Sequence, residues 1–179
     1  MVVSINCKNI GEAWKQCIFT VVEVGTPHFD EDVRLLELGE GIALTIDKPQ
    51  SHDPFIQKYG DPTVIERMLE KFKPDANMPD RPFTYGDLIY SKNGINQFEW
   101  IVKRILEKPE TKSAAISLVT EGNNSPNLPC LISLDAKLRN RHLDLHFFFR
   151  SQNIFGRQYA NLIALVELQI KMAKSLNCT

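Results

Sequence analysis

The alternation of apolar and polar positions is sparse in the first half of the chain and strong in the second. Ile10, Ala13, Trp14, Cys17, Ile18 and Val21 share one side of a 3.6-residue period, which predicts an amphipathic helix over 10–22. Between 33 and 46 the pattern is mixed, and Leu44-Thr45-Ile46 before Lys48-Pro49 predicts a strand that proline ends. A short helix is expected near 63–72, followed by a proline-rich loop. Phe98, Ile101, Val102, Ile105 and Leu106 recur at helical spacing over 97–106, and Lys108-Pro109 stops that helix. Residues 113–120 read as a buried strand and 122–126 as a loop. Two further strands are expected at 130–138 and 142–149, joined by a tight turn at Asn140-Arg141 because asparagine tolerates positive φ. The stretch 158–173 is apolar on most faces, which predicts a buried central helix. Trp14 and Trp100 lie on helical apolar faces and are expected in the core. Helices packed against hairpin-joined strands define an α+β class: a mixed sheet against a buried central helix.

Composition narrows the possibilities. At 179 residues the chain is expected to form a single domain over 1–179. Its 43% hydrophobic and 24% charged content is that of a globular protein. A net charge of −1 gives no bulk attraction to nucleic acid or to an anionic membrane. No apolar run is long enough to span a bilayer, and the first residues lack a secretory pattern. Cys7, Cys17, Cys130 and Cys178 are scattered without a CxxC pair, so neither zinc nor a disulfide framework is expected. Free thiols suit a reducing cytoplasmic setting.

Candidate chemistry sits around the hairpin. Cys130 follows Asn127-Leu128-Pro129 and opens a strand. A thiol there is a nucleophile if a nearby cation favours its thiolate, and otherwise a small buried hydrophobe. Arg150 and Ser151 at the end of the second strand offer a guanidinium fork and a hydroxyl, which suit phosphate or carboxylate, or serve a strand-end salt bridge. Asn161 places an amide inside an apolar helix, where it must find partners in the backbone or on a heterocycle edge. His142 and His146 share a strand face without a third ligand, so no metal site is expected. Arg139 and Arg141 at the turn are expected to be solvated.

Taken together, a proline-cysteine pair, a hairpin, Arg150-Ser151 twenty residues after Cys130 and Asn161 eleven beyond Arg150 resemble the thymidylate synthase superfamily. Thr84-Tyr85-Gly86 is similar to the family's tyrosine-glycine motif, and Asn96-Gln97 with Lys108-Pro109-Glu110-Thr111 to its segment around the following helix. The likeness is good from Tyr85 to Leu168 and looser before it. It implies that Cys130 adds to C6 of a pyrimidine nucleotide, so that C5 accepts a methyl or hydroxymethyl unit from a methylenetetrahydrofolate-type folate. It further implies phosphate binding by Arg150 and Ser151, pyrimidine reading by Asn161, proton transfer through Tyr85, a phosphate role for Arg34, and a homodimer.

Four departures qualify the resemblance. The family's paired arginines fall on Lys112-Ser113, so one charge is kept without a bidentate fork. The aspartate that holds the pterin ring is Asn153. The family's His-x-Tyr segment and folate-closing C-terminus are expected beyond residue 179. Glu37 and Glu66 are candidates for the catalytic glutamate without decisive spacing. The sequence thus leaves three readings open: the pyrimidine transferase, an enzyme with a cysteine nucleophile acting on another small substrate, and a non-catalytic nucleotide binder.

Overall fold

The computed structural model describes residues 2–30, 32–119 and 128–179. In chain order the elements are β1 (Val3–Cys7), α1 (Ile10–Val24), β2 (Thr26–Asp30), β3 (Val33–Glu37), β4 (Ile42–Ile46), α2 (Pro54–Tyr59), α3 (Pro62–Lys71), α4 (Tyr85–Tyr90), α5 (Gln97–Glu107), β5 (Ala115–Ser117), β6 (Leu131–Arg139), β7 (His142–Phe149) and α6 (Ile154–Ser175). The architecture is mixed α+β, as the sequence pattern predicts. Its strands form small separate sheets rather than one mixed sheet. The chain gathers into two compact units, Met1–Ile65 with Asn153–Ile163, and Glu66–Gln152 with Ala164–Thr179.

In the first unit, β1 and β4 pair in parallel from Val3↔Ile42 to Cys7↔Ile46, and β2 and β3 form an antiparallel ribbon. Helix α1 begins where Asn9 Oδ1 accepts the Glu12 N–H at 2.9 Å and Glu12 Oε2 accepts the Lys8 N–H at 2.8 Å. Its buried stripe is Ile10, Ala13, Trp14 and Cys17, with Ile18 and Val21 half-buried. The Trp14 indole N–H donates to Ile154 O at 2.9 Å, and its ring lies 4.5 Å from that of Tyr159. The buried Asp53 carboxylate accepts the N–H groups of Gly11, Phe55 and Ile56, which caps α2 and ties its start to α1.

Burial, reinforced by Glu12, Cys17 and Asp47, pushes the Cys7 thiol up from 9.0 to about 11. Below 9.0 the thiol is neutral whether folded or unfolded. Above it the unfolded chain ionises first, so this contribution to stability is lost as pH rises from 9.0 to about 11. Melting temperature should fall across that window, and less steeply in Cys7→Ala; equal slopes would contradict this.

In the second unit, β5, β6 and β7 form an antiparallel sheet. One hydrophobic core joins Leu131, Leu134, Ala136 and Leu143 of this sheet to Ile101 and Ile105 of α5 and to Leu165, Leu168 and Met172 of α6. Residues from Gln158 to Leu168 of α6 are buried except Glu167, which accounts for the near-continuous apolar run. The expected strand over 113–120 shortens to β5, where only Ile116 is buried. Trp100 is not a core residue: it is 44% exposed, because Phe98, Ile101 and Ile105 define the buried stripe of α5 and Trp100 falls outside it. The loop expected at 122–126 lies outside the described residues. Among the described residues no helix is long and apolar enough to cross a membrane.

The β6–β7 turn forms at Asn140-Arg141 as predicted, with φ of 49° and 65°. A left-handed arginine costs about 1–2 kcal/mol. Its side chain returns part of this through one exposed bond to Asn177 O at 3.2 Å. Arg141→Gly should therefore stabilise the fold by about 1 kcal/mol and raise the melting temperature by about 2–4 °C. A lower melting temperature would show that the arginine contact outweighs the backbone strain.

Candidate functional site

Cys130 immediately precedes β6 and is half-buried. Its carbonyl accepts the Arg150 N–H at 2.9 Å, extending the β6–β7 ladder past the last strand pair. That pairing brings the residues after β7 beside the thiol. The Ser151 hydroxyl donates to Cys130 Sγ at 3.8 Å. The Arg150 guanidinium donates from Nε to Pro129 O at 3.1 Å and from Nη2 to Leu128 O at 3.0 Å. It forms no ion pair with a carboxylate among the described residues, so its charge is not neutralised locally. The arginine thus holds the backbone that presents the thiol and keeps donors available to an anion.

Tyr85 joins this group from α4. Its hydroxyl oxygen accepts the Leu131 N–H at 3.2 Å, one residue beyond Cys130. The ring is only 4% exposed. Burial is the largest influence on the phenol and pushes it above its ordinary value of 10.0; Cys130 pushes the same way, while the backbone bonds from Leu131 and Cys130 and the Arg150 charge pull it down. The position is set by a capping box in which Thr84 Oγ1 accepts the Asp87 N–H at 3.0 Å and Asp87 Oδ2 accepts the Thr84 N–H at 2.7 Å. Gly86 follows because a Cβ there would fall 1.7 Å from Lys73 O. The tyrosine-glycine pair was legible as a motif, but this close approach was not.

Lys112 belongs to the same unit as Cys130; its carbonyl accepts from Lys137 Nζ at 3.2 Å and its side chain is exposed. Arg34 lies exposed on β3 opposite Phe29 in the first unit. Asn153, also in the first unit, is exposed and caps α6: its Oδ1 accepts the Gly156 N–H at 2.7 Å. Asn161 is 6% exposed, and its Oδ1 has no hydrogen-bond partner among the described residues. One helical turn before it, buried Gln158 likewise leaves Oε1 unpartnered. Gln158 carried no sequence signal beyond being a polar residue in an apolar helix. Glu37 and Glu66 are both exposed. Among the described residues no group of three His, Cys, Asp or Glu side chains could hold a metal ion.

No family model matches the chain. Individual proteins do. The chain is 27% identical to a protein of Methanothermobacter thermautotrophicus named "Putative thymidylate synthase", over 94% of this chain and 83% of that protein. It is 25% identical to proteins of the same name from Methanosarcina mazei and Methanosarcina acetivorans, in each case over 92% of this chain and 77% of the relative. The similarity therefore runs well beyond the motifs around Cys130, into the N-terminal part where the sequence likeness was loose.

Proposed function

We propose that this divergent thymidylate synthase-like chain is a one-carbon transferase in which Cys130 is the nucleophile and a pyrimidine nucleotide the substrate. The observation that carries the reading is the convergence of Cys130 Sγ, the Ser151 hydroxyl, the uncompensated Arg150 guanidinium and the Tyr85 hydroxyl within one unit. The thiolate adds to C6 of the ring, forming a carbon–sulfur bond and moving the electron pair of the C5–C6 double bond towards C5 and the C4 carbonyl. A one-carbon donor at the formaldehyde level would supply the electrophilic carbon for C5, take back its own leaving group, and provide a hydride for a methyl product, water serving for a hydroxymethyl one. Once the C5 proton is lost, addition of that hydride or water to the C5 methylene expels the thiolate from C6, which restores the double bond and the free enzyme. Tyr85, whose oxygen accepts a backbone N–H and whose proton is therefore directed elsewhere, serves proton transfer at C5.

Arg150 and Ser151 bind the substrate's anionic end, with Lys112 of the same unit as an additional cationic contributor. In the first unit, the buried, unpartnered Oδ1 of Asn161 supports an acceptor kept for a ligand N–H. The proposed donor is a folate carrying the one-carbon unit, on the strength of the resemblance. Asn153 does not fit the pterin as an aspartate would: its oxygen already caps α6, and an amide cannot accept two bonds from a guanidine-like edge as a carboxylate can. This observation favours a second reading, in which the same nucleophile acts with a different donor or on another small substrate.

The test is mass spectrometry of the protein with 5-fluoro-dUMP, with and without methylene folate. A covalent adduct that requires the folate supports the full reading. An adduct formed without it supports pyrimidine addition with another donor. Absence of any adduct from folded protein removes the pyrimidine reading.

A further inference from the structure

Three consecutive residues at and beyond the end of α3 meet the Tyr85-Gly86 pair, two of them at the Tyr85 ring. Lys71 Nζ lies 4.4 Å from the ring centroid. The Phe72 ring lies 4.8 Å away, tilted at 50°. The Lys73 carbonyl sits against Gly86, where any Cβ would collide with it. Phe72 and Lys73 explain how the ring is placed, but neither explains why a cation should cover a nearly buried phenol.

We propose that Lys71 is a positioning residue for Tyr85, its ammonium fixing the ring beside Cys130 and easing loss of the phenol proton. This rests on the reading that Tyr85 takes part in proton transfer. The face of an aromatic ring is electron-rich and attracts an ammonium group. When the phenol ionises, negative charge spreads into the ring and the attraction grows. Lys71 thus opposes the burial that makes Tyr85 a reluctant acid. Among the described residues, the Cys130 thiol and the Arg150 charge act on the phenol, and the Lys71 ammonium from α3 lies over its ring. Arg150 directs Nε and Nη2 to the Pro129 and Leu128 carbonyls, whereas the Lys71 ammonium lies over the Tyr85 ring face.

The experiment follows Tyr85 itself rather than turnover. The chain has four tyrosines, so ring-labelled tyrosine gives few resonances in an NMR titration, and Tyr85→Phe identifies the relevant one. In Lys71→Met the acid dissociation constant of Tyr85 should fall about two- to fivefold, the range of an exposed cation–π contact. Lys71→Arg, which keeps the charge, should titrate like the parent. Lys71→Gln is a second neutral variant, read in place of Lys71→Met if that protein does not fold. An unchanged Tyr85 titration in a folded neutral variant overturns the proposal, as does a Lys71→Arg protein that shifts like Lys71→Met. The readout needs no substrate. A protein that forms no fluoropyrimidine adduct but shows the Tyr85 shift loses the pyrimidine reading while the Lys71–Tyr85 coupling stands.

Discussion

Cys130→Ala is expected to form no covalent complex with 5-fluoro-dUMP under conditions where the parent protein gains the mass of the nucleotide. The methyl side chain left behind cannot supply the electron pair for the carbon–sulfur bond, so any turnover should fall by at least roughly 10⁴-fold, the scale seen when a covalent nucleophile is removed. Cys130→Ser sharpens the result. It keeps the shape and a hydrogen-bonding atom facing Ser151, but an alcohol is far harder to ionise than a thiol. It should bind nucleotide and still fail to form the adduct. Both variants should melt close to the parent, because Cys130 is half-buried at the margin of the sheet and its backbone bond to Arg150 does not depend on the side chain. Adduct formation by Cys130→Ala would remove Cys130 as nucleophile. Loss of folding in both variants would mean that the thiol is a packing residue.

The second large effect is expected at Gly86. An alanine Cβ would lie 1.7 Å from Lys73 O and 2.8 Å from the Lys73 carbonyl carbon. Both are backbone atoms, so no side-chain rotation relieves the contact, and α4 or the segment after α3 must move by more than an ångström. Gly86→Ala should therefore destabilise the protein by about 3 kcal/mol, lowering the melting temperature by about 6–12 °C. The displacement also carries Tyr85 away from the Leu131 N–H and the Phe72 ring. Adduct formation should slow in protein that is still folded, as measured below the lowered melting temperature. A melting temperature within a degree of the parent would show that the backbone approach is easily relaxed. Glycine is needed here for space; its φ is not among the positive values found at Gly41 and Gly94.

The two substitutions differ in what the sequence could say about them. Cys130 was ambiguous by composition, since a free cysteine is so often a small core residue. Its register with Arg150 and Asn161 made it a candidate nucleophile, and that register is a property of sequence alone. Gly86 could be read only as part of a motif. Its reason is a carbonyl from Lys73, thirteen residues earlier in the chain, which no local pattern reveals. Lys71 carried no signal for the same reason: its contact with Tyr85 exists only once α3 and α4 are folded.

Sequence by itself determined the local elements with strong period: the α1 stripe, the α5 stripe except for Leu106, which is 61% exposed, the β6–β7 hairpin with its positive-φ turn, and the buried run of α6. These depend on hydrophobic spacing and backbone sterics within a few residues, which the chain states directly. It did not determine which side of α5 Trp100 would occupy, nor how short β5 would be, because burial depends on what packs against an element. Tertiary structure also decided how the candidate site is divided. Cys130, Arg150, Ser151 and Tyr85 come together because the antiparallel β6–β7 ladder sets the ends of two strands side by side and delivers Leu131 to the Tyr85 hydroxyl. Asn153 became a helix cap because α6 begins at the next residue and its first N–H groups need an acceptor. Sequence register could name these residues, but only the pairing of distant segments could show which of them lie beside the same thiol.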